Sequence, residues 1–244
     1  MALVLLAGCD YSSDWQIEYS QNMPSKPRID GNGWYFDFPN GTECDDKQNC
    51  PGVHYVMRGH NNSAKYGGLL SMTFEIETTG DPKFNYKLEK DNTCEIPAHV
   101  RAMLQKRNDD MYERNGRFWA NPIAWKLKAT NGTVTLNIPL TIENWSNVSG
   151  QRDKEGFQRL LANLGRVGIT FGGGCFFGHG VNVSGGTARF IMREFGLYSE
   201  GGGSQTASGL LCAKFNCQAV AVAVSAQSSP QTAFSSLQTL PHHH

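Results

Sequence analysis

In LLSMTFEIET, residues 69–78, Met72, Phe74 and Ile76 alternate with Thr73, Glu75 and Glu77. A period of two puts the apolar set on one side of an extended chain and the polar set on the other, which a helix cannot do. The stretch is therefore a strand with one face buried. TNGTVTLNIPL repeats the signal: Asn131-Gly132 is a tight-turn pair, and Val134, Leu136 and Ile138 then alternate with Thr135 and Asn137. Further strands are predicted at 33–39, 53–58, 83–88, 99–106 and 122–127, and again in RVGITF and TARFIMREFGL. One helix is expected in DKEGFQRLLANLG, where Phe157, Leu160, Leu161 and Leu164 share a face and Gly165 ends it. The fold class that follows is all-β: a two-sheet antiparallel jelly-roll β-sandwich with one short helix.

A chain of 244 residues is long enough for one domain with appendages. Its 22 basic and 22 acidic side chains cancel, which excludes the basic footprint of a nucleic-acid binder. The order expected is a signal remnant over 1–9, a polar tether with Pro24 and Pro27 over 10–32, the sandwich over 33–198, and a Gly/Ser linker with a low-complexity tail over 199–244.

The start, MALVLLAGCD, ends its apolar run in Leu6-Ala7-Gly8-Cys9, which resembles the lipobox of bacterial lipoproteins. The resemblance implies that Cys9 carries a lipid and that the chain is exported and held at the cell envelope, with a lipid as its sole membrane attachment. Of the seven cysteines, Cys44, Cys50, Cys94, Cys175, Cys212 and Cys217 then remain. That even number permits disulfides in an oxidising compartment. Cys44 with Cys50, and Cys212 with Cys217, are near enough in sequence to close small loops.

FGGGCFFGHG, residues 171–180, is rich in glycine beside bulky rings. It lacks the lysine of a phosphate-binding loop, and Phe177 stands where a dinucleotide fingerprint needs its third glycine. A rim loop is expected instead, with Phe176 and Phe177 on opposite sides and one of them facing outward with His179. His54, His60, His99 and His179 are not paired at a metal-ligand spacing, and the terminal His242 to His244 are given no metal role. No cofactor is required; structural calcium, held by Asp37 and Glu194 with Asp45 and Asp46 nearby, is the metal option.

Catalytic alternatives are thin. No nucleophile elbow occurs, and Glu75 with Glu77 form the only carboxylate pair weighed for glycoside hydrolysis. Arg107, His54, Tyr55 and Tyr112 supply the residue types of a polysaccharide lyase without its motif.

The run LNIPLTIENWSNVSGQ, GFQRLLANLGRVGITFGGGCFFGHGV and GGTARFIMREFGL has a recognisable order: strand, Trp-containing loop, short helix, strand, glycine loop, last strand. This order resembles the C-terminal half of galactose-binding-like jelly rolls found as carbohydrate-binding modules. The resemblance covers roughly residues 33–198 and implies polysaccharide binding without cleavage. Sugars offer apolar C–H faces to aromatic rings and hydroxyls to planar polar groups. In NGRFWANP, Trp119 follows a charged stretch and precedes Pro122, so it is expected as a solvent-facing platform with Asn121 and Arg107 beside it. Trp125, inside the next strand, is assigned to the core. Tyr55, Phe177 and His179 complete the candidate ligand set. The competing reading is a structural or protein-interacting lipoprotein of the envelope, using the same sandwich as a scaffold.

Overall fold

Phe190 stacks on Phe36 at 5.6 Å and on Phe74 at 5.2 Å, and takes the edge of Phe171 at 5.4 Å. Those rings belong to two different sheets, so this contact closes the sandwich. The computed structural model describes residues 14–18, 26–30, 33–41, 52–86, 96–109, 113–173 and 178–199. The strands are β1 (Gln16–Glu18), β2 (Arg28–Asp30), β3 (Gly33–Asp37), β4 (Tyr55–Gly59), β5 (Leu69–Tyr86), β6 (His99–Lys106) and β7 (Arg117–Ala120). They continue with β8 (Trp125–Lys126), β9 (Val134–Pro139), β10 (Trp145–Asn147), β11 (Leu164–Gly173), β12 (Gly178–His179) and β13 (Val181–Tyr198). The helix α1 covers Lys154–Ala162, and a short 3-10 turn covers Ile142–Asn144.

Two antiparallel sheets result, as the alternation predicts. The larger runs β1-β4-β11-β6-β7-β10, with β12 beside β11 and β8 beside β6; the smaller runs β2-β3-β13-β5-β9. The smaller sheet is built on the pairing of β5 with β13, each 18 residues long. Strands predicted separately at 69–78 and 83–88 are thus one strand, β5.

Helix α1 covers one end of the core. Asp153 caps it by accepting from the Gly156 amide at 2.9 Å, leaving one fewer unpaired amide in the first turn. Phe157 stacks on Trp145 at 5.5 Å and meets Phe118 at 5.1 Å. The helix ends at Asn163, whose amide returns to Arg159 and Leu160, and not at Gly165, which lies in β11.

Two expectations are corrected. The segment 10–32 is not wholly a tether: β1 pairs with β4, β2 pairs with β3, and Trp15 packs 4.9 Å from Trp34 in the core. Residues 117–120, expected as a junction after the charged stretch, form β7, while the strand predicted over 122–127 is only Trp125–Lys126. The cysteines, the glycine-loop residues 174–177 and the tail beyond Ser199 lie outside the described residues.

Truncating Phe190 removes the ring common to these contacts, so Phe190→Ala is expected to cost about 3–5 kcal/mol. Urea denaturation should show a lower midpoint with an unchanged slope.

Candidate functional site

Each sheet has one face against the core and one turned away from it. On β7, Phe118 and Ala120 are fully buried core residues, so Trp119 between them must point to the far side of the larger sheet. Register extends that position into a row: Met57 opposes Gly168, Gly168 opposes Met103, Met103 opposes Trp119, and Trp119 opposes Ser146. Tyr55, Met57 and Met103 form a second apolar cluster separate from the main core. Gly168 is needed here, because a side chain would run into the Val56 carbonyl and come within 3.0 Å of the Met57 side chain.

The row is sealed. Trp119 is 3% exposed and Tyr55 5%, so neither offers a ring face to a sugar. The expectation of a solvent-facing Trp119 is overturned: it is one of the buried rings, and a polar flanking sequence does not keep a strand residue in solvent once cross-strand neighbours enclose it. Asn121 is near it and donates to the Ser146 hydroxyl at 3.2 Å. Arg101, level with Asn121 in the β6–β7 register, donates to the Ala120 carbonyl at 3.0 Å, and burial lowers its pKa.

Arg107 is not part of this group. It follows the other end of β6 and donates to the Asn61 carbonyl at 3.1 Å. Six residues from Arg101 along an extended chain is about 20 Å. The same separation takes Arg107 away from His54 and Tyr55, since Tyr55 opposes Thr170 while Lys106 opposes Leu164. The lyase constellation is therefore not assembled; its Tyr112, like Phe177 and Cys9, lies outside the described residues. His179 stands opposite Gly172 on β12.

The calcium candidates are apart as well. Asp37 is gripped by Arg189 through two hydrogen bonds, at 2.7 and 3.2 Å. Glu194 opposes Thr73, four positions along β5 from the Glu77 that lies level with Arg189 and Asp37, about 14 Å away. Among the described residues no group of three or more His, Cys, Asp or Glu converges.

The outer face of the smaller sheet is the open one. Tyr198, at the end of β13, is 56% exposed. Its ring lies back over Gly196: a Cβ there would meet the Tyr198 hydroxyl oxygen at 2.8 Å and its Cζ at 2.9 Å. Glycine at 196 is what lets the ring rest along the strand. Gly196 opposes Ser71, Ser71 opposes Asn137, and in the next row Glu194, Thr73 and Thr135 lie side by side. The Thr73 and Thr135 hydroxyls are 3.0 Å apart. Beyond them Arg193 binds Glu75 at 3.1 and 3.2 Å, and Thr133 donates to the same carboxylate at 3.0 Å. The Arg193 hydrogen bonds hold the Glu75 carboxyl below its ordinary pKa, which suits a fixed anion and not a proton donor. Next to this, Arg189 lies 4.4 Å from the Tyr35 ring centre.

Sequence reasoning missed Tyr198 because it directly precedes the Gly/Ser run. The signal available was Gly-x-Tyr in a strand, which puts glycine and ring on the same face.

No protein-family model and no curated protein matches this sequence. Among solved structures, one similar chain is a xylan-binding module of the CBM15 type, with a TM-score of 0.37 and 10% identity over 75% of this chain and 93% of that one. A likeness this distant transfers no residue from one chain to the other.

Because Trp119 is enclosed, Trp119→Ala is expected to destabilise the fold by about 3–5 kcal/mol. Thermal unfolding should show a clear drop in Tm; an unchanged Tm would put the ring back in solvent.

Proposed function

We propose that this sandwich binds carbohydrate without cleaving it, and that the binding face is the outer surface of the smaller sheet around Tyr198. The observation that carries the reading is the exposed Tyr198 ring laid over Gly196 beside Ser71, Asn137, Thr73 and Thr135. An aromatic plane takes the C–H face of a sugar, and hydroxyls and a side-chain amide beside it match the sugar's own hydroxyls. The non-catalytic part is supported by Glu75: Arg193 and Thr133 engage it and hold its carboxyl below its ordinary pKa, so this carboxyl is not a proton donor. Hydrolysis needs one carboxyl to hold a proton near neutral pH.

Affinity electrophoresis of the full chain through gels containing neutral polysaccharides tests this. Tyr198→Ala should lose retardation, with a binding cost on the order of 1–3 kcal/mol, the range for one aromatic stacking platform. Tm should hardly change, and Tyr198→Trp should restore retardation. Unaltered retardation of Tyr198→Ala would overturn the assignment of the face, and new reducing ends or unsaturated products would overturn the absence of cleavage.

We further propose that the protein is exported and held at the bacterial cell envelope by a lipid on Cys9. The support is the Leu-Ala-Gly-Cys motif, together with the fact that no helix among the described residues is long and apolar enough to cross a membrane. Cys9→Ser should move the protein from the membrane to the soluble fraction on ultracentrifugation. Persistent membrane association would refute the anchor.

A further inference from the structure

Resting on the reading that this face binds carbohydrate, we propose that its ligand is a linear, uncharged polysaccharide held mid-chain along β13. The first argument is extent. Hydrogen-bonding side chains do not stop at Tyr198 but continue along the outer side of β13 and β5 as far as Arg189, which opposes Glu77. From Gly196, where the ring rests, to Arg189 the paired strand β5 runs six residues, Ser71 to Glu77, about 20 Å. One sugar covers only a fraction of that length, so a ligand that uses the whole stripe has several units in a row.

The second argument is shape. Tyr198 and Glu194 towards one end, Glu77 at the other and Thr133, Thr135 and Asn137 along the side are exposed, with Ile191 between the ends buried under its neighbours, so among the described residues both ends of the stripe are open and no wall encloses a chain terminus. A pocket favours a terminal sugar; an open stripe favours an internal stretch.

The third argument is charge. On β3, β5 and β13 four carboxylates face outward, those of Asp37, Glu75, Glu77 and Glu194, against two guanidiniums, those of Arg189 and Arg193, with Arg28 beyond them on the edge strand β2. Both guanidiniums are already engaged, Arg189 by Asp37 and Arg193 by Glu75. Glu77 and Glu194 are left to set the sign at the surface, which repels a polyanion and leaves a neutral chain unopposed.

Isothermal titration of the full chain with neutral β-linked gluco-, xylo- and manno-oligosaccharides, from disaccharide to hexasaccharide, and with polygalacturonate, tests this. For the series that binds, affinity should rise about tenfold or more from disaccharide to hexasaccharide, and capping the ends of the hexasaccharide should leave it unchanged. Polygalacturonate should bind at least about tenfold more weakly than the neutral chain, and Glu77→Lys should narrow that gap. Equal affinity for disaccharide and hexasaccharide, loss of binding on capping, or a preference for polygalacturonate would each overturn the proposal. Failure of every saccharide to bind would overturn the carbohydrate reading itself. Binding that Tyr198→Ala abolishes but that does not grow with length would overturn the mid-chain proposal alone.

Discussion

The packing of Phe190 against Phe36, Phe74 and Phe171 is the contact on which the rest of this molecule depends. Three of these rings come from neighbouring strands of the smaller sheet and the fourth, Phe171, crosses from the larger one. Aromatic rings bury large areas and prefer stacked or edge-on pairs, and both arrangements occur around Phe190. With this inward position fixed, a one-residue slip of β13 would turn Phe190 to solvent and Arg189 or Ile191 into the core. The register of β13 on β3 and β5 is thereby determined.

That same register composes the outer face. Because side chains alternate, every residue between two core positions of β5 and β13 is delivered to the opposite side: Thr73 by Met72 and Phe74, Glu75 by Phe74 and Ile76, Arg189 by Ala188 and Phe190. The bulge between Met192 and Glu194 adds one residue and places Arg193 where it grips Glu75. The composition of this outer stripe is a consequence of the core.

This explains which parts were legible in the sequence. Strands buried on one face keep their alternation: in β5 the inward set Met72, Phe74 and Ile76 is the set found buried, while β6, buried on its far side at Met103 and Gln105 as well, still has the bounds predicted for it. The sandwich and the helix followed from the same patterns. Strands enclosed on both faces lose the signal. Arg117 to Ala120 are all buried, so β7 shows no alternation and its charged approach imitated a loop. Trp15 and Ile17 joined the core through pairing with a strand some forty residues away, which no local pattern carries. Of the candidate site, Trp119, Tyr55 and Asn121 lie on one sheet face, but exposure depends on what surrounds a strand, and that is not a local property.

Exposure is also what separates the two faces as recognition surfaces. On the larger sheet, Gly168 lies between Met57 and Met103, which with Tyr55 form a buried apolar cluster, and Trp119 is buried beside Met103. Rings packed in this way stabilise the fold and offer a ligand nothing further to bury. On the smaller sheet, Gly196 has the opposite effect: by removing one side chain it supports the Tyr198 ring from beneath while leaving the upper side in water. In the proposed binding, a sugar arriving there would displace water from a surface that is already formed, because the ring rests against the backbone and would lose little freedom. The same residue type, placed between two methionines or beneath a tyrosine, therefore closes one face of this sandwich and prepares the other.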